Sequence, residues 1–149
     1  GGAMIDRANA LFPPIHIEDV ANCLTLCVDM EEHLYALLGV ILEQSPKDTL
    51  PFHLAELGRA VSGSLQDFAG MSLTDGHSSA ISLDSWLVGL RSSVEVHARL
   101  TVLMEQIRNA SPGGLGAAHL AEMGRIAALG MHDFASSVLS QLEHGGLLK

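Results

Sequence analysis

Basic and aromatic residues are scarce in this chain. Eight lysines and arginines stand against seventeen acidic side chains, leaving a net charge of -9, a field that repels nucleic-acid phosphates and anionic lipid surfaces. Neither nucleic acid nor a membrane is expected as a partner. One Trp, one Tyr and four Phe leave the core to Leu, Ala, Val, Ile and Met, a composition that favours helix over strand. With only two cysteines, a disulfide framework and a thiolate metal centre are both excluded. Cys23 and Cys27, four apart on one helix face, are expected to be reduced and buried, since a disulfide within one turn is strained. The longest purely apolar run, Leu34 to Leu42, is about half a bilayer crossing. The N-terminus shows no basic-then-apolar secretory pattern, so a cytoplasmic location is expected. Gly1 to Ala3 read as an added leader, with the natural start expected at Met4. The chain has no Gly-rich phosphate loop, serine elbow or paired-cysteine motif, so no catalytic residue, cofactor or metal site is expected.

What the chain does have is itself, twice. Ile15 to Leu73 lies over Ile81 to Leu139 at a constant offset of 66 positions, without a gap and at roughly thirty per cent identity. The match is densest where HLAELGR (His53 to Arg59) meets HLAEMGR (His119 to Arg125), and where Asp67 to Ala69 meets Asp133 to Ala135. Two copies of one supersecondary unit bury their matching apolar faces against each other. At 149 residues the chain is expected to form one domain, 1–149, with hairpin repeats over 15–73 and 81–139.

Apolar periodicity predicts four helices, about His16 to Gln44, Pro51 to Leu73, Ser82 to Ala110 and Leu115 to Glu143. The breaks SPKDTLP, TDGHSS and SPGGLG hold the Pro, Gly, Asp and Ser residues that stop or start helices. Thr49 before Pro51 is the better cap signal and Ser82 a weaker one. Short connections make sequential helices antiparallel neighbours, so the expected fold is an all-α four-helix bundle of two helical hairpins. Gly58 and Gly124, each on a small-residue edge, are expected to face each other near the internal axis. Leu57, Val61, Leu65 and Phe68 mark the expected inward direction of the second helix.

Two ionisable residues sit where a core side chain belongs. Glu31 points along the apolar stripe of Val20, Leu24, Cys27, Val28, Leu34, Leu38 and Leu42, and its repeat-mate His97 is equally central among Trp86, Leu90, Val94, Leu100, Met104 and Ile107. A buried carboxylate and a buried imidazole at equivalent places solve each other's desolvation problem if they meet. Near Gly63, Ser64 and Gly130 the expected facing level leaves room for water or a small polar ligand. Glu31, His97 and Ser64 are therefore candidate ligand-binding residues, and a closed structural pair is the other reading.

Elsewhere the polar pattern is superficial. His53 with Glu56 and His119 with Glu122 have metal-ligand spacing, but His53 opens its helix on the order of 18 Å from the Glu31 level, too far to share an ion. Glu56 and Arg59 are expected to form a solvated pair at a helix start. The like stripes His53, Glu56, Arg59 and His119, Glu122, Arg125 form a repeated surface that could bind a protein partner. His16, His33, His77, His132 and His144 fall at helix ends or exposed faces, where histidine is ordinary.

Helix one, by contrast, is apolar all round over LYALLGVIL. A four-helix bundle covers only one side of it. Ala36, Leu37 and Val40 then need cover, from a second subunit or from the Leu11 to Pro14 segment folded back. The expected function is a non-enzymatic, homodimeric protein-protein interaction module; the alternative is a small-ligand or metal-binding bundle built on Glu31 and His97.

Overall fold

The computed structural model describes residues 13–74, 83–113 and 116–148, with backbone alone over 64–74. Four helices carry the chain: α1 (Ile17–Gln44), α2 (Leu50–Thr74), α3 (Leu83–Ala110) and α4 (Gly116–Gly145). Each packs on the next and α4 returns to α1, so α1 lies diagonally across from α3 and α2 from α4. This is an up-and-down four-helix bundle. No described helix is long and apolar enough to cross a membrane.

The helix ends follow local chemistry. Glu18 and Asp19 occupy the first turn of α1, where negative charge offsets the helix dipole. Ser45 and Ser111 close α1 and α3 alike, each donating its hydroxyl to the carbonyl four residues back, Ile41 and Ile107, at 2.7 Å. Asp48 takes a left-handed φ of 66° to turn the chain into α2. Thr49 does not cap α2 with its side chain as its position suggested; its hydroxyl donates to the Pro46 carbonyl at 2.6 Å and steadies the turn instead. Gly146, with φ 74°, ends α4 by donating its N–H to Leu142, the left-handed stop that glycine makes without a Cβ clash.

One element was not foreseen. Ile15–His16 (β1) pairs in parallel with Leu147–Leu148 (β2), and Ile15 N–H donates to Gly146 O at 3.0 Å. The pairing ties the two described ends together at the foot of the bundle, and buried Ile15 joins the core there. Pro13 and Pro14 are exposed, and Leu11 and Phe12 lie outside the described residues.

Among the described residues the core falls into two apolar clusters. One gathers Leu34, Leu38 and Ile41 of α1 with Leu100, Met104 and Ile107 of α3 and small residues of α2 and α4. The other joins Val20, Cys23, Leu24 and Cys27 to Trp86, Leu90, Ala135, Val138 and Leu142. Helices α1 and α3 begin and end 66 residues apart, and each buried position of α1 has a buried partner 66 further on in α3. Pro51, Ala55, Gly58 and Ser62 in α2 likewise match buried Ala117, Ala121, Gly124 and Ala128 in α4.

That small-residue face corrects two expectations. Leu57 does not point inward: it is 52% exposed, and Val61 is half-buried on the flank. Leu65 and Phe68 have side chains outside the described set. The inward face is Ala55, Gly58 and Ser62, because α2 must admit large side chains from α1. Nor do Gly58 and Gly124 face each other, since α2 and α4 are diagonal. A Cβ on Gly58 would meet Leu38 at 2.9 Å, and one on Gly124 would meet Met104 at 2.7 Å and Leu37 at 2.9 Å.

Candidate functional site

Glu31 and His97 stand between the two apolar clusters, each with no solvent exposure. The helical periodicity that places Leu24, Cys27, Leu34 and Leu38 in the core carries Glu31 with them, and α3 does the same for His97. They do not bond to each other. Both Glu31 carboxyl oxygens and His97 Nε2 are buried without a hydrogen-bond partner, which corrects the expectation of a paired carboxylate and imidazole. His97 turns its other nitrogen to its own helix, where Nδ1 lies 2.7 Å from the Ser93 carbonyl. A carbonyl can only accept, so Nδ1 carries the proton and neutral His97 presents Nε2 as a bare acceptor.

Cys27 connects the two sides. It lies one turn before Glu31 on α1 and against Ser93 of α3, whose hydroxyl makes no well-formed hydrogen bond and is also buried and unpartnered. Cys23 and Cys27 are both free and buried. Contact with Cys23, then burial, push the Cys27 thiol up, so it is not a thiolate nucleophile.

Desolvation decides the charges here. Burial first, and Cys27 second, push the Glu31 carboxyl up to about 9, so at neutral pH it is an uncharged acid that can donate as well as accept. Burial lowers the His97 imidazole, opposed by its bond to Ser93 and helped by nearby His132. The middle of the bundle is therefore polar and uncharged.

The other expected level residues separate. Gly130 is exposed and Gly63 half-buried, with open space beside each. Ser64 lies in α2 with its side chain outside the described residues.

The repeated surface stripes share sequence but not contacts. His53 pairs with Glu56 at 3.3 Å on the exposed start of α2. Arg59 does not pair with Glu56 as expected; its guanidinium sits 4.2 Å over the Tyr35 ring, where cation-π attraction holds it. In the second copy Glu122 accepts from Arg125 and from Arg108 of α3. Those two guanidinium groups hold its carboxyl down to about 2. His119 stays exposed. The difference comes from the neighbouring helix, which offers Tyr35 in one case and Arg108 in the other. Among the described residues no three His, Cys, Asp or Glu side chains gather as a metal site requires.

Around α1, Ala36 is exposed, Val40 is 41% exposed and Leu37 is half-buried against the Gly124 side of α4. Leu37 and Val40 belong to a longer stripe. Leu26, Met30, His33, Leu37 and Val40 recur at alternating spacings of four and three, each partly or fully exposed. On α4, Leu120, Met123, Ala127, Gly130 and Phe134 repeat at three and four, with Met123 63% exposed. Glu122 and Arg125 turn the other flank of α4 to α3, which leaves the second stripe beside α1. The outward direction of Leu37 and Val40 was read from the sequence; the matching stripe on α4 was not. No protein-family model, curated protein or solved structure matches the chain.

Proposed function

We propose that this protein is a non-enzymatic helical interaction module that docks a second copy of itself along the α1 and α4 seam. The observation that carries this reading is the pair of heptad-spaced stripes, free of Asp, Glu, Lys and Arg, on neighbouring helices. A 3–4 repeat of apolar residues is the pattern by which helices interdigitate with partner helices, and large exposed apolar strips are uncommon on monomers. A chain of net charge -9 repels its own copies, so self-association needs an uncharged surface.

The seam between α2 and α3 is related by the 66-residue offset and is less suited. There the α3 stripe reads Ser92, Val96, Arg99, Leu103 and Gln106, which puts polar groups where α1 has Leu26, His33 and Val40. Desolvating Arg99 costs free energy that an apolar residue does not. Light scattering across the micromolar range tests the reading. A species of twice 15.8 kDa is expected, and a single species of 15.8 kDa throughout overturns it.

A further inference from the structure

The middle layer of the bundle supports an inference independent of the surface. Glu31 Oε1 and Oε2, Ser93 Oγ and His97 Nε2 are all buried and all without a partner. Buried polar atoms in native proteins are satisfied in more than nine cases of ten, by protein or by ordered water. They belong to three residues of one layer: Glu31 lies one turn after Cys27, Cys27 lies against Ser93, and the Ser93 carbonyl accepts from His97 one turn on, so four unsatisfied atoms on these neighbours call for an occupant. Small buried side chains of the neighbouring helices lie one turn from the level. Gly58 is level with Leu38, so buried Ser62 of α2 lies beside Leu34, one turn from Glu31. In α4, Ala128 takes the matching place.

We propose that this layer is a binding site for a small uncharged hydrogen-bonding molecule, of which water is the smallest, that bridges Glu31, Ser93 and His97. The groups specify its chemistry. His97 Nε2 only accepts, so the occupant must donate to it. Glu31 as a neutral acid offers one O–H and one accepting oxygen, and Ser93 a hydroxyl that does either. A molecule that donates once and accepts twice, as a water or hydroxyl oxygen can, satisfies three groups at once. An ion finds no opposite charge among Glu31, Ser93, Cys27 and His97, and its burial would be costly. A buried water bonded to three groups is an ordinary structural component.

A crystal structure of the full chain at neutral pH and high resolution tests the site. Density within hydrogen-bond distance of His97 Nε2 and of either Glu31 or Ser93 Oγ is expected. Mass spectrometry of the native protein and of its denatured extract separates the sources. Unchanged mass assigns the density to water, and a released mass identifies a copurified molecule; either supports the site. A dry layer, or a direct Glu31 to His97 hydrogen bond with no density, overturns it. Glu31→Gln keeps a donor and an acceptor and should keep the density, whereas Glu31→Leu with His97→Leu should lose it. Density persisting in that double variant overturns the assignment to these side chains. The wild-type structure decides the question even if the double variant fails to fold.

Discussion

Met104 of α3 fills the place that a side chain at Gly124 of α4 would take: a Cβ there would stand 2.7 Å from Met104 Cε. Leu38 does the same at Gly58, at 2.9 Å. Within each hairpin a glycine admits the large side chain found 20 residues before it. The neighbours are ends of flexible side chains, so a methyl group is accommodated by a small shift, but a branched four-carbon side chain is not.

Gly58→Leu and Gly124→Leu should each destabilise the protein by about 1 to 3 kcal/mol through overpacking. Gly130→Ala is the contrasting case. Gly130 is exposed in α4 with nothing near a Cβ, so alanine there should stabilise by up to about 1 kcal/mol. Thermal and denaturant melts of the three variants check both signs, and equal melting temperatures for all would show that the glycines are not sites of side-chain intrusion.

Glu31 and His97 should be coupled through what lies between them, since they do not bond directly. Glu31→Leu alone, or His97→Leu alone, strands the remaining buried group at a cost of roughly 1 to 3 kcal/mol, and replacing both with leucine should recover part of that loss. A double-mutant cycle measures this. Strictly additive changes would mean that the two side chains share no occupant.

Stability should also carry the pH signature of this layer. Unfolded Glu31 loses its proton near 4.5 and the folded carboxyl only near 9. Between these values the folded state holds an extra proton, and stability falls with rising pH by about 1.4 kcal/mol per unit. The folded His97 imidazole lies below its ordinary 6.5, so below pH 6.5 the unfolded chain binds a proton that the folded chain refuses, and stability falls as pH falls. Just below 6.5 the two slopes oppose each other, so the decline is flattened there and full above it. Urea titrations from pH 4 to 9 should show that shape, and Glu31→Gln, an uncharged mimic of the folded form, should remove the alkaline decline. The same decline in the variant would assign it to other groups.

The seam is tested by charge. Val40→Glu and Met123→Glu place carboxylates on the α1 and α4 stripes and should each shift the protein to a single species of 15.8 kDa. Leu57→Glu, on the opposite seam, should leave association unchanged. Dissociation by Leu57→Glu alone would move the interface to α2 and α3.

Much of this architecture was legible in the residues. Periodicity and breakers located the helices to within a few positions, and the 66-residue offset pairs their boundaries and buried positions, because both depend on local spacing. The same spacing carried Glu31 and His97 into the core, since a helix cannot turn one side chain out of its stripe. Facing partners were another matter. Sequence placed Leu57 inward by its hydrophobicity, but packing chose Ala55, Gly58 and Ser62, because only small residues admit Leu38 at that distance. Which nitrogen of His97 is engaged, and that Glu31 and His97 stay unbonded across the diagonal, depend on interhelical distances that no periodicity encodes. The likeness of HLAELGR and HLAEMGR did not carry over to their contacts, because Tyr35 stands beside one and Arg108 beside the other. Local chemistry set the helices and their buried stripes; tertiary packing decided which side chains meet, since contact depends on the neighbouring helix as well as on the residue itself.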